Sequence, residues 1–185
     1  LTRIIYATLV GLVGAAVVHL IIVFMLPLVS ANTPWNRLVG QTEENRPYRL
    51  PTRMDDAAFG NGVHGPDPFF ETIVCRYDLD NGAVHLRSTR RVPMWTVNLY
   101  DSLGTGFFSA NDRLAAGQRL DLAVLNASQL RFVRQSTPAE LTGAIIAPAG
   151  DPHGFAVVRV FVPDETWTGI SARFADALEC RTLDF

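Results

Sequence analysis

The chain of 185 residues contains no lysine, and all sixteen of its basic residues are arginine. That bias is a composition habit of a genome and carries no functional signal. Acids are missing from the first thirty residues, where Arg3 is the one formal charge. Cysteine is nearly absent, with Cys75 and Cys180 alone, and no CxxC or Cys/His cluster points to zinc. There is no GxSxG elbow and no HExxH helix, so no motif marks a nucleophilic or zinc hydrolase. EF-hand spacing is lacking as well, which removes the commonest calcium loop. No internal repeat or low-complexity tract is visible. No cofactor and no metal are therefore expected.

Positive charge is also in short supply. With Arg3 set aside, the remainder carries 15 Arg against 18 acids, a net charge of 15 − 18 = −3. Phosphate neutralisation needs a basic surface, so nucleic acid is excluded as a partner.

What is present begins with grease. From Ile4 to Val29 the one ionisable side chain of consequence is His19. A helix rises 1.5 Å per residue, so this run crosses a bilayer core with some tilt to spare. The apolar part of a signal peptide is much shorter and ends in a small-x-small cleavage site. Residues 1–30 are accordingly read as an uncleaved transmembrane anchor in contact with membrane lipid. Ala7, Gly11, Ala15 and His19 recur every fourth residue and share one helix face. Small residues at that spacing admit a second helix closely, and a polar group on the same stripe can bond across. Two readings stay open: a packing face for a partner helix, or a plain anchor with incidental small residues.

An even cysteine count in an anchored chain permits a disulfide, which persists only on the oxidising side of a membrane. Closing so long a loop stabilises by up to about 4.7 kcal/mol in the chain-entropy picture. Two buried free thiols are the alternative. The short N-terminus and the cysteine pair both favour an N-terminus in the cytoplasm and a domain outside, with Arg3 a single vote in the positive-inside rule.

Residues 31–69 are rich in Pro, Asn, Gly and Arg without a sustained apolar period, which predicts a linker or arm. Its punctuation by Trp35, Leu38, Tyr48 and Phe59 predicts partial docking on the domain. Strands begin near residue 70, and 70–185 is expected to form one domain. In TIVCRYDL, Ile73, Cys75, Tyr77 and Leu79 point one way and Val74, Arg76 and Asp78 the other. Asn81-Gly82 predicts a hairpin turn into a return strand VHLRS. WTVNLYD, FFSA, RLDLAVL, AIIAP and FAVVRVFV follow. The last is apolar on both faces, as a doubly covered central strand is. Asn126 or Ser128 caps a short helix. After Pro163, Trp167, Ile170, Phe174 and Leu178 form a helical stripe, with Cys180 directly after it. A disulfide would then clamp that helix to the first core strand. The expected fold is mainly β, an antiparallel sandwich or barrel, with one N-terminal transmembrane helix and a short C-terminal helix.

The ordered series VCRYDL, MWTVNLYD, GFFSANDR, LDLAVL and VVRVFVP, after an apolar N-terminus ending VHLIIVFMLP, resembles the short membrane-anchored members of the domain-of-unknown-function family numbered 1254. The resemblance spans most of the chain apart from the linker. It implies a proteobacterial β-rich domain at the inner membrane, and a partner from the related family numbered 1214. It implies no reaction.

Two polar groupings need weighing. Asp101, Asn111, Asp112 and Arg113 lie in NLYDSLGTGFFSANDR around Gly104 and Gly106. Asp and Asn at strand ends bond their own turn backbones, so a hairpin explains them without chemistry. Arg159 shares a strand face with Phe155, Val157 and Phe161 and needs an acid partner if enclosed, with Asp78, Asp101 and Asp121 as candidates. Capture of an anionic ligand is the other reading of Arg159. His64, His85 and His153 are scattered, which leaves a Ser-His-Asp cluster to geometry alone. The functional expectation is a single-pass inner-membrane protein whose periplasmic β domain acts by binding, as an accessory or assembly subunit of an envelope complex. The competing class is an envelope enzyme or ligand-binding module using the Asp101/Asp112/Arg113 region.

Overall fold

The structure is a computed structural model, and it describes residues 2–29, 38–50 and 67–184. Helix α1 covers Thr2–Val29. Its 24 residues from Thr2 to Met25 are long and apolar enough to cross a membrane, and every one of these side chains is exposed.

Among the described residues nine strands follow in two sheets. They are β1 (Pro47–Arg49), β2 (Phe70–Asp78), β3 (Ala83–Ser88), β4 (Trp95–Asp101), β5 (Gly106–Asn111), β6 (Asp121–Leu125), β7 (Ile145–Pro148), β8 (His153–Phe161) and β9 (Leu178–Leu183). The first sheet has the order β1-β2-β8-β4-β5 and is antiparallel throughout. The second has the order β7-β6-β3-β9, antiparallel except for the parallel pair β6 and β7. Alternation sends Ile73, Cys75 and Tyr77 of β2 and Trp95, Val97 and Leu99 of β4 into one core with Val84, Leu86, Leu122 and Val124 of the other sheet. The fold is therefore a mainly β sandwich. Trp95 is fully buried and its indole N–H donates to the Gln118 carbonyl at 3.1 Å, so its one polar atom is satisfied.

Helix α2 (Ala127–Gln135) lies on the outer face of the second sheet, where Leu130 and Val133 join a cluster with Ala83, Ala123 and Leu125. It starts with a capping box: Asn126 accepts from the N–H groups of Ser128 and Gln129, and Gln129 accepts from the Asn126 N–H. On the outer face of the first sheet, Leu38 and Leu50 pack with Val74, Phe155 and Val157. Residues 38–50 thus cover part of that sheet, with Tyr48 on β1 opposite Val74. Trp35 lies outside the described residues.

Two local expectations are corrected. Asn81-Gly82 does not close a hairpin, because β2 and β3 belong to different sheets. Gly82 sits at φ +131°, and a Cβ there would meet the Thr182 side chain and the Leu183 carbonyl, so the turn is a tight corner between sheets. The C-terminal helix is also shorter than its apolar stripe. Helix α3 (Thr168–Asp176) ends before Leu178, and Leu178–Leu183 form strand β9 beside β3. Cys180 lies in that strand. The Cys75–Cys180 disulfide, with Cα atoms 6.5 Å apart, therefore ties one sheet to the other across the core, not a helix to a strand.

Candidate functional site

The polar residues that converge do so at one end of the first sheet. Register aligns Asp78 at the end of β2 with His153 at the start of β8, and Gly154 lies between Tyr77 and Asp101. Asp78 accepts from the Asp80 N–H at 2.9 Å and from the Asn81 amide at 3.1 Å. Its second oxygen is 3.6 Å from Nε2 of His153, whose Nδ1 lies 3.9 Å from Asp151. Asp151 accepts from the His153 N–H at 2.9 Å and from the Ser102 hydroxyl at 2.7 Å. The Ser102 bond is the main reason its carboxyl is held below the usual carboxylate range.

Tyr77 ends against this cluster from the core side. It is fully buried, and its hydroxyl has no hydrogen-bond partner among the described residues. Burial first, then the negative charges of Asp151 and Asp101, push its ionisation far above the ordinary tyrosine value. Gly154 makes room for the ring: a Cβ there would come within 2.6 Å of the Tyr77 hydroxyl oxygen and closer still to the Tyr100 carbonyl.

Chemically the cluster resembles a triad in composition but not in wiring. Ser102 donates its hydroxyl hydrogen bond to the Asp151 carboxylate and not to an imidazole, which is not the Ser-to-His bond of a triad. Asp78, Asp80 and His153 bring three potential ligand atoms within 4.8 Å of one another. Both Asp78 oxygens are already engaged by the turn that follows β2, which accounts for that carboxylate without an ion.

The residues singled out from the sequence are placed elsewhere. NLYDSLGTGFFSANDR is a β4–β5 hairpin with a bulge between Leu99 and Tyr100. Asp101 accepts from the Leu103 and Thr105 N–H groups, and Asn111 from those of Arg113 and Leu114. Asp101 bonds at one end of the hairpin and Asp112 at the other, opposite Trp95. Six strand residues separate the two levels, about 20 Å at 3.4 Å per residue. Asp101 and the Asp112/Arg113 pair therefore do not form one site. Arg159 pairs with Asp67 at 2.9 Å and lies 4.1 Å over the Phe70 ring, a correction to Asp78, Asp101 or Asp121 as its partner. Asp121 instead meets the fully buried His85 at 2.7 Å. On α1, Ala7, Gly11, Ala15 and His19 are exposed, and beyond the helix's own neighbouring backbone no atom of the described residues lies within 4 Å of where a Gly11 side chain would begin.

Comparison with known proteins follows the fold and not the cluster. No protein-family model matches the chain, and no curated protein does. Among solved structures, the VPA0106 protein from Vibrio parahaemolyticus is similar with a TM-score of 0.58 at 10% identity, over 80% of this chain and 34% of that one. An uncharacterized protein from Burkholderia cenocepacia is similar with a TM-score of 0.50 at 10% identity, over 79% of this chain and 37% of that one. The likeness is one of fold. This chain spans about a third of the length of either structure.

The Tyr77, Asp78, Ser102, Asp151 and His153 grouping was invisible in the sequence. Its members come from three strand ends, and the pairing of β2 with β8 that unites them spans about 75 residues of chain. The one local hint is Asp151-Pro-His153, a turn pattern in its own right.

Proposed function

We propose that this protein is a single-pass inner-membrane protein, a short member of the proteobacterial family numbered 1254. Its sandwich stands on the periplasmic side and acts by binding, as an accessory or assembly subunit of an envelope complex. A protein of the related family numbered 1214 is the first partner to seek. One observation carries the reading: a 24-residue apolar helix, exposed along its length, precedes a domain whose core holds a disulfide. An apolar surface of that size is stable in lipid and not in water. A disulfide persists in an oxidising compartment, which for an inner-membrane anchor is the periplasm. Asp101 and Asp112 lie at opposite ends of the hairpin, which supports this reading over a ligand site built from the two together.

The test is purification of the full chain from membranes in mild detergent, with mass spectrometry of what accompanies it. A stoichiometric membrane partner is expected, with Cys75 and Cys180 protected from alkylation until reduced. Leu at Gly11 and Ala15 should displace a partner that packs on that helix face. Recovery of the chain in the soluble fraction, or free thiols in the native protein, would overturn the reading.

A further inference from the structure

Among the described residues the sandwich has four sheet edges, and three are guarded against pairing with another chain. Strand β1 is three residues long and carries Pro47 and Arg49. Strand β7 has four residues and ends in Pro148. Strand β9 presents exposed Glu179 and Arg181. Short strands, proline and charge are the devices by which natural sheets discourage edge pairing. Strand β5, Gly-Phe-Phe-Ser-Ala-Asn, has six residues with no charge and no proline. It pairs with β4 on one side, and among the described residues nothing pairs with it on the other.

We propose that the open edge of β5 pairs antiparallel with β5 of a second copy of this chain, joining two five-stranded sheets into one of ten strands. The pattern of the strand is self-complementary. Asp112 bonds to Trp95, so the alternation of an antiparallel ladder sends the Ala110 and Phe108 rungs toward β4. Ser109 then turns its N–H and C=O to the open edge. A two-fold axis at Ser109 sets Phe108 of each copy opposite Ala110 of the other on the core face. It sets Phe107 opposite Asn111 on the outer face. Each large ring meets a small or short side chain, and no like charges face each other along the strand. Phe108 is already partly packed on the core, so the junction extends that core across the edge.

The flanks fit the same arrangement. Leu103 before β5 is 77% exposed and Leu114 after it is 62% exposed. Antiparallel pairing about Ser109 brings Leu103 of one copy to the end where the other carries Leu114. Phe107, also exposed, is covered in the process. Edge, strand pattern and flanking leucines thus select one occupant, a second copy of this chain.

The native cysteines are bonded to each other, so a thiol introduced into the full chain stands alone. Ser109→Cys in intact membranes should be crosslinked by mild oxidant or a short bis-maleimide to a species of twice the 20.3 kDa chain mass. Its yield should be several times that of Glu179→Cys on the guarded β9 edge. Equal yields at the two positions, or an adduct of any other mass, would overturn the proposal. Ser109→Lys places two ammonium groups face to face at the axis while leaving every bond to β4 intact. Sedimentation of the purified full chain in detergent should then show a dimer dissociation constant raised about tenfold at unchanged melting temperature. A wild-type monomer, or the same constant in both proteins, refutes edge pairing even if the membrane helix associates.

Discussion

Removing the bridge between the two sheets is the most informative perturbation. Cys75 in β2 and Cys180 in β9 are 105 residues apart and both are buried in the core. A cross-link closing a loop of this length stabilises by about 4.7 kcal/mol through the lost entropy of the unfolded chain. That is a large share of the roughly 5–15 kcal/mol that keeps a domain folded. For a domain of this size it corresponds to a fall in melting temperature of about 10–20 °C. The assay is thermal and urea unfolding of the full chain in detergent, followed by circular dichroism, for Cys75→Ala, Cys180→Ala and the double variant. Either single change breaks the bridge, so each should cost nearly as much as the two together. Losses that add, with the double variant about twice as destabilised as either single one, would mean that each sulfur matters only for local packing and would refute the staple.

Other consequences follow from single side chains. Tyr77→Phe removes a buried donor that has no acceptor among the described residues and should stabilise by about 1 kcal/mol at neutral pH. The folded ionisation of Tyr77 lies above its unfolded value near 10, so stability should be full below about pH 10 and fall as pH rises beyond it. In the Phe variant that part of the alkaline loss should vanish, and an unchanged pH profile in chemical denaturation would refute the assignment. Gly154→Ala drives a methyl group into the Tyr100 carbonyl and the Tyr77 hydroxyl and should cost at least about 2 kcal/mol in the same melts. Asn126→Ala opens the capping box of α2 and should cost about 1 kcal/mol, with Asn126→Asp retaining most of it. A neutral Asn126→Ala would mean that α2 is held by packing alone.

Several elements were legible from the order of residues. The apolar helix, the alternation in TIVCRYD and WTVNLY, the hairpin around Gly104 and Gly106, and the Asn126 cap each depend on neighbours within a few positions. The β-rich class follows from counting such segments. Three expectations that depended on distant pairing were wrong, and for related reasons. Asn81-Gly82 has the local chemistry of a hairpin turn, yet β2 pairs with β8 and β3 with β6 and β9, so the same dipeptide turns a corner between sheets. The stripe Trp167, Ile170, Phe174 and Leu178 has helical spacing, but β3 recruits Leu178 as the first residue of a strand. Arg159 found Asp67, from a segment read as linker.

The sequence by itself determined where a membrane-length apolar helix stands, that the rest is built mainly of strands, and that two cysteines were available to each other. These are properties of composition and short-range period, which the chain carries before it folds. Tertiary structure alone decided which strands share a sheet, that the disulfide spans the sandwich, that Asp101 and Asp112 lie at opposite ends of a hairpin, and that His153 sits between Asp78 and Asp151. Strand pairing is chosen by the burial of whole faces against the entropy of closing long loops. That balance belongs to the folded chain as a unit and is written in no single segment.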